Sequence, residues 1–468
     1  MNTKQVDFSL RLALQDGEPC GALFAKEEIA GVAENVTEAR DRIERGRGKG
    51  PLAFLELPYS YGSSDRRTAF GDTFSQTLGT IHEAANRIRA ARGQFVHVGI
   101  GGSALGAITL VTALGVTKSM GYECPAEIHV PDNVDPDWIG ELLHRLDLTR
   151  VYANVVSKSG DTTETIATFA LLLEVMREKS NLSPAELRRR IFVTTNPEEG
   201  ALAELARSEG FTILPLPDAI HGRFSVFSPM GLLAAAVAGI DVGELLEGAR
   251  VADERTARAP FGDNPSLQFA ALHYVGLTQK GISNLILLPY SNRLRTVGDW
   301  YSQLVAESLG KQGQGMTPVK ALGVTDQHSQ LQLYIDGPKD KLVVVFSVAR
   351  HAETLRIPNS LASNSAYTYL AYKTFNDLFK AEREATEVSL HLHGVPNCRF
   401  ELAELSPFNM GYLLTVLEKT VCILGELLSV NAFDQPGVEE SKEYARAMLG
   451  KSGEQYDQLR EIVAKLSK

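Results

Sequence analysis

Cysteine is scarce in this chain. There are four in 468 residues, Cys20, Cys124, Cys398 and Cys422, far apart and with no C-x-x-C pair. No zinc spacing is present, and reduced structural thiols are the expected reading. Long apolar runs are also missing. The longest, Met230–Ile240, falls well short of the ~20 residues that a bilayer-spanning helix needs. The opening MNTKQVDFSL lacks the basic start and apolar core of a signal peptide. Basic charge is in deficit, with 47 Lys and Arg against 57 Asp and Glu and a net charge of −10. A general nucleic-acid binder would need a basic face. The expectation is a cytoplasmic protein with neither membrane nor nucleic acid as partner. An anionic ligand stays open, because a local cluster of donors can overrule net charge.

What is present is an ordinary globular composition, 44% apolar and 22% charged, long enough for two to four domains of ~100–200 residues. Residues 1–65 are polar and turn-rich. Phe74, Leu78, Ile81, Ala85 and Ile88 then follow helical spacing. Five short apolar strands alternate with helices: "FVHVGI", "AEIHVPD", "VYANVVSKSG", "RIFVTTN" and "FTILPLP". Such alternation implies a parallel sheet covered on both faces. The second half begins a similar series. Leu267–Lys280 reads as helix, and "ISNLILLPY", "KLVVVFSV" and "EVSLHLHGV" read as strands. A helical region from Met410 closes the chain. The expected division is an extension over 1–65, a first α/β domain over 66–245 and a second over 246–468.

Two loops stand at the carboxyl ends of strands, where open α/β sheets bind ligands. They are "GIGGSALG" (99–106) and "SKSGDTTET" (157–165). Small residues let backbone N–H groups approach a ligand, and a following helix N-terminus adds donors and partial positive charge. Gly102, Ser103, Ser157, Ser159, Thr162 and Thr165 supply glycine approach and hydroxyls, and Lys158 supplies charge. Asp161 and Glu164 fit a capping box, with Asp161 as cap. A well-capped helix after a strand is the plain alternative. The first loop is G-x-G-G-x-x-x-G rather than G-x-G-x-x-G, and no acidic residue ends the next strand as a dinucleotide site requires. Two hydroxyl-rich loops on neighbouring strands suit a sugar phosphate better.

Six blocks in order across residues 97–442 are similar to the glucose-6-phosphate isomerase family: "HVGIGGSALG", "VVSKSGDTTET", "GRFSVFSPMGL", "LPYSNRLRTVGDWYSQLVAESLGK", "GVTDQHSQLQLYIDGP" and "NAFDQPGVEESK". The resemblance implies two sugar-isomerase domains, each a flavodoxin-like parallel sheet flanked by helices, with helical extensions at both ends. It implies aldose–ketose isomerisation of glucose 6-phosphate to fructose 6-phosphate, without metal or other cofactor, in glycolysis and gluconeogenesis. That chemistry needs a base, a group to open the sugar ring, and positive charge near the developing oxyanion.

By this resemblance Glu307 is the proton-shuttling base and Gln303, four residues earlier on the same helix face, a substrate contact. His328 is the ring-opening histidine, whose near-neutral titration suits proton exchange. Lys442 assists ring opening, Gln435 contacts substrate, and Arg223 stabilises the enediolate. The resemblance also implies a homodimer in which His328 serves the site of the partner subunit. His221, Gly160 and Asp161 depart from the family's common pattern. Two rival readings remain: a dual phosphoglucose/phosphomannose isomerase, and a phosphosugar-sensing regulator. The second would normally add a basic helix-turn-helix, of which residues 1–65 give no sign.

Overall fold

A computed structural model of the chain describes residues 5–15, 20–61, 68–115, 126–361 and 363–466. Cys20, Cys398 and Cys422 are free thiols, whereas Cys124 lies outside the described residues. Ten strands are present among the described residues. They are β1 (Val6–Ser9), β2 (Gln94–Val98), β3 (Glu127–His129), β4 (Val151–Val156), β5 (Ile191–Thr195), β6 (Thr212–Pro215), β7 (Asn284–Pro289), β8 (Thr317–Lys320), β9 (Lys341–Arg350) and β10 (Asn397–Glu404).

The first sheet has the order β3-β2-β4-β5-β6 and is parallel throughout. All five strands read from the sequence are therefore there. Numbered within the sheet this is the flavodoxin order 2-1-3-4-5, whose switch point falls between β2 and β4. Those two strands and β5 are buried along their whole lengths. One face packs through Val96, Ala153, Val155 and Val193 against Phe169, Leu173 and Met176 of the Thr163–Lys179 helix. The other face, through Phe95, Tyr152 and Phe192, joins the main core.

The second sheet has the order β1-β10-β9-β7-β8. Its strands β8, β7, β9 and β10 are parallel, and β1, from the amino-terminal stretch, pairs antiparallel with β10 at the edge. The amino-terminal region is more ordered than its polar composition indicates. Helix Ala33–Gly46 buries Val36, Ala39 and Ile43. Its last turn enters a buried ionic network: Lys419 Nζ lies 2.7 Å from Glu44 and 3.0 Å from Asp253, and Arg47 reaches the same Asp253 oxygen at 2.7 Å.

One expected strand is corrected. "EVSLHLHGV" is not a strand but mostly the end of helix Phe375–Leu392, which Thr374 and Asp377 open with a capping box. The period-two pattern misled because the buried face carries Arg383 and Glu387 with Leu390, while Val388 and Leu392 are exposed. Glu387 is held by Arg383 at 3.1 Å and Arg399 at 2.7 Å, so charge stands where apolar residues are expected. The true strand follows at β10.

The apolar run at Met230 forms Pro229–Val237, a helix buried at every residue. Among the described residues no helix is long and apolar enough to cross a membrane. Helices Val242–Arg258 and Pro407–Leu428 cross with backbones nearly touching. A Cβ on Gly248 would lie 1.9 Å from the Phe408 carbonyl oxygen, and one on Gly411 would lie 2.0 Å from that of Leu245.

Candidate active site

The loops after β2 and β4 flank the switch point of the first sheet. After β2, the tight turn Gly101–Ser103 leads into helix Leu105–Leu114. Gly102 is pressed against the turn Gly222–Phe224: a Cβ there would lie 2.5 Å from the Gly222 carbonyl carbon and 2.7 Å from Arg223 N. Only glycine lets these two backbones meet. After β4, the Ser157 hydroxyl lies 2.9 Å from that of Thr162 and accepts from Gly160 N–H at 3.1 Å. Thr165 is buried, with no partner for its hydroxyl. The expected capping box is not formed. Thr162 occupies the cap position with no side-chain cap bond. Asp161 turns away, bonded to the Ser159 hydroxyl and to Arg446 Nη2, the latter at 3.1 Å. A cation brought over the loop by helix Pro436–Met448 outcompetes the local cap.

Arg223 is the hub. Its Nε donates to Ser308 Oγ at 2.8 Å, and Nη1 donates to Glu307 Oε2 at 3.0 Å and Gln435 Oε1 at 2.9 Å. Nη2 donates to the carbonyls of Ala432 at 2.8 Å and Asp434 at 2.9 Å. The second Glu307 oxygen accepts from Gln303 Nε2 at 2.9 Å. A Cβ on Gly101 would lie 3.1 Å from that same Gln303 nitrogen, so the glycine loop borders the carboxylate. Burial pulls the Arg223 guanidinium down from its ordinary value, against the raising effect of Glu307. It stays a cation, since guanidinium begins so high.

A second cation lies close by. Lys158 Nζ donates to the Asp218 carbonyl at 3.0 Å. Burial lowers its pKa, with Asp218 opposing and Arg223 assisting. His221 is pushed down to about 4, first by burial and then by Lys158 and Arg223. It is therefore neutral near pH 7. The result is a cluster of two cations and a hydrogen-bonded carboxylate beside a loop of hydroxyls. It can hold an anion at one end and move a proton at the other.

Two expected site residues stand apart. His328 ends the turn Thr325–His328 after β8, is exposed, and makes no hydrogen bond or ion pair among the described residues. Lys442, on helix Pro436–Met448, is exposed and pairs with Glu439 at 2.9 Å. Neither is bonded to the Arg223 cluster.

The sequence model of the family described as "Phosphoglucose isomerase" matches residues 83–459. The chain belongs to that family. A glucose-6-phosphate isomerase of Carboxydothermus hydrogenoformans is 37% identical over 457 residues, covering 95% of this chain and 94% of the relative. One of Rubrobacter xylanophilus is 39% identical over 375 residues, covering 79% and 86%. Among solved structures, a protein of Thermus thermophilus described as hypothetical superposes with a TM-score of 0.82 at 35% identity, covering 95% of this chain and all of that one. A glucose-6-phosphate isomerase of Chlamydia trachomatis, at 22% identity, shares the fold with a TM-score of 0.79, covering 95% and 90%.

Within this phosphoglucose isomerase fold, several site groups escaped the sequence reading. Ser308 follows Glu307 and anchors the guanidinium from the buried side of the helix. Its only signal was adjacency. The carbonyls of Ala432 and Asp434 are backbone atoms, which no residue type announces. Lys311 pairs with Asp434 at 2.9 Å and fastens the segment that carries them.

Proposed function

We infer that this chain interconverts glucose 6-phosphate and fructose 6-phosphate by acid–base ring opening and enediol proton transfer, a step of glycolysis and, in reverse, of gluconeogenesis. Family membership supports the reaction. The observation that carries the site is the arginine hub. One buried guanidinium contacts both the candidate base Glu307 and the candidate substrate contact Gln435, next to the glycine turn at the switch point.

In the proposed mechanism the phosphate sits against Gly102, Ser103, Ser157, Ser159, Thr162 and Thr165, with Lys158 adding charge. His328 and Lys442 exchange the proton that opens the ring. Glu307 then takes the proton from one carbon of the open chain and returns it to its neighbour. Gln303 and Arg223 already donate to the two oxygens of Glu307, so the carboxylate is aimed before substrate arrives. Arg223 faces the negative charge that grows on the enediolate. A fixed charge of this kind acts without reorganisation at the moment of reaction.

The working unit proposed is a cytoplasmic homodimer with His328 contributed across the interface. Two observations support the dimer. His328 is unengaged by its own chain's cluster. The segment that follows β9 also leaves Leu355, Tyr367, Tyr369, Tyr372 and Phe375 exposed. Beside that segment is a cavity of about 560 Å³, mainly apolar, at the carboxyl ends of β7 and β9. Exposed large apolar side chains gathered on one segment are the kind of surface that interaction sites use. The first half and second half remain proposed as separate sugar-isomerase domains meeting near residue 246.

The test is a coupled assay of both sugar phosphates on chelator-treated protein, beside Glu307→Gln. Turnover should survive the chelator and fall by ~10²–10⁴ in the variant, as removal of a general base does. Activity that returns only with a divalent metal, or a variant within a few-fold of wild type, would reject the mechanism.

A further inference from the structure

Beneath the two loops the first sheet carries a buried polar row that the reaction above does not use. His97 is the penultimate residue of β2, and Asn154 lies directly across from it on β4. Thr194 lies on β5, two residues beyond Phe192, which is the partner of Asn154. All three have no exposed surface. Residues in register on parallel neighbours, and residues two apart on a strand, share one face of a sheet. The rest of that face is apolar: Phe95, Tyr152 and Phe192 belong to the main core. Polar groups buried in such surroundings are costly unless they are bonded for a purpose.

The bonds run in one direction. Thr194 Oγ1 donates to Asn154 Oδ1 at 2.9 Å. His97 Nε2 lies 2.8 Å from the carbonyl oxygen of Ser103. A carbonyl oxygen can only accept, so Nε2 carries the ring proton and Nδ1 is a bare acceptor. Burial favours this neutral ring, lowering its pKa to about 4. The Nδ1 acceptor and the Asn154 Nδ2 donor are both left without partners, on two directly opposed residues. They are chemically complementary. Above them, Ser103 N–H bonds Ile100 and Ala104 N–H bonds Gly101, closing the glycine turn, and His97 fixes the carbonyl at its end.

We propose that His97, backed by Asn154 and Thr194, is a positioning residue for phosphate binding: it pins the Ser103 carbonyl and thereby sets the glycine loop against the strand pair that bears Ser157. His97 alone bonds the loop after β2, and its Nδ1 faces Asn154 on β4, the strand leading into the loop after β4. Pairing of these opposed complementary groups is what would hold the two loops at one spacing. This rests on the reading that those loops hold the phosphate.

The experiment compares three proteins with wild type: His97→Leu, which keeps bulk without a donor, His97→Gln, which returns an N–H near the Nε2 position, and the loop double variant Ser159→Ala/Thr162→Ala. The readouts are kcat and KM for fructose 6-phosphate, the inhibition constant of inorganic phosphate, and the thermal midpoint. His97→Leu should raise both KM and the phosphate constant about tenfold with kcat within about threefold, the scale of one buried hydrogen bond. His97→Gln should recover most of that loss. A lower midpoint with unchanged KM and phosphate inhibition would mean a purely structural role and overturn the proposal, as would a Gln variant no better than Leu. If the loop double variant also leaves phosphate inhibition untouched, the phosphate reading of the loops fails first. If His97→Leu does not fold, Thr194→Val removes the last hydroxyl of the row at nearly equal volume. It should raise KM about threefold, and no change would overturn the proposal.

Discussion

At the scale of single residues, the distinction between Arg and Lys matters for the proposed site. Arg223 spends its donors on five acceptors in two segments, Glu307 and Ser308 in one, and Gln435 with the carbonyls of 432 and 434 in the other. An ammonium offers three donors from one point and no planar fork. Arg223→Lys should therefore keep the charge but lose the alignment of Glu307. A fall in kcat of ~10²–10³ is expected, comparable to losing a preorganised donor at an oxyanion, with a smaller change in KM. Steady-state kinetics decide it, and turnover within threefold of wild type would show that charge alone suffices. Arg223, Gln303 and Glu307 were visible in the sequence because the blocks that carry them resemble the family's, and their residue types suit the chemistry that resemblance implies. His221 is different. Its pKa is lowered first by burial and then by two cations, all of which only the folded chain supplies.

At the scale of elements, the site depends on two backbones meeting without side chains between them. The Gly101–Ser103 turn and the Gly222–Phe224 turn touch at Gly102. Gly102→Ala would place a methyl against backbone atoms, which cannot rotate away, so one turn must shift and carry Arg223 with it. A displacement of about 1 Å at a catalytic group costs on the order of 10² in rate. The predicted outcome is a folded protein, by circular dichroism, with turnover down by at least that factor. Near-normal turnover would mean that the turns can part without disturbing Glu307. Helix and strand types were mostly legible from periodicity and loop chemistry. Strands β1, β8 and β10 were not read, and Phe375–Leu392, read in part as strand, shows why pattern fails where an ion pair is buried. Arg383 and Glu387 take core positions that the hydrophobic code assigns to solvent.

At the scale of the whole molecule, two predictions concern coupling. The proposed dimer takes Glu307 from one subunit and His328 from the other. Glu307→Gln and His328→Ala homodimers should each be nearly inactive. After joint denaturation and refolding, about half the dimers are mixed and each has one intact site of two, so activity should approach roughly a quarter of wild type. Mixed dimers detected by mass spectrometry without recovered activity would place His328 in its own subunit's service or in none.

The other prediction concerns acid. His97 and His273 are fully buried, and burial lowers both to about 4. The unfolded chain protonates histidine near 6.5, so each contributes stability that is complete above ~6.5 and lost as pH falls towards ~4. Glu418, buried with Oε1 unpartnered, is pushed well up by burial and acts in the opposite sense, holding a proton that the unfolded chain releases above ~4.3. Replacing His273, whose two ring nitrogens lack partners, with Leu should remove one proton from the linkage. Between pH 5 and 6 the denaturation free energy should then fall less steeply, by ~1.4 kcal/mol per pH unit. An unchanged slope would show that His273 titrates normally in the folded state.

The sequence by itself determined the alternation of strands and helices, the two small-residue loops at strand ends, and the pairing of Gln303 with Glu307 on one helix face. These are local properties, set by periodicity, turn chemistry and spacing along a few dozen residues. Only the tertiary structure decided the strand orders that put both loops at one switch point, and the capture of Val6–Ser9 as the edge of the second sheet. It alone brought Arg223 to Glu307 across 84 positions and to Gln435 across 212. It also chose the carbonyls of Ala432 and Asp434 as partners for the guanidinium. Backbone acceptors are the same in every residue, so their selection follows from which segments the core packs together.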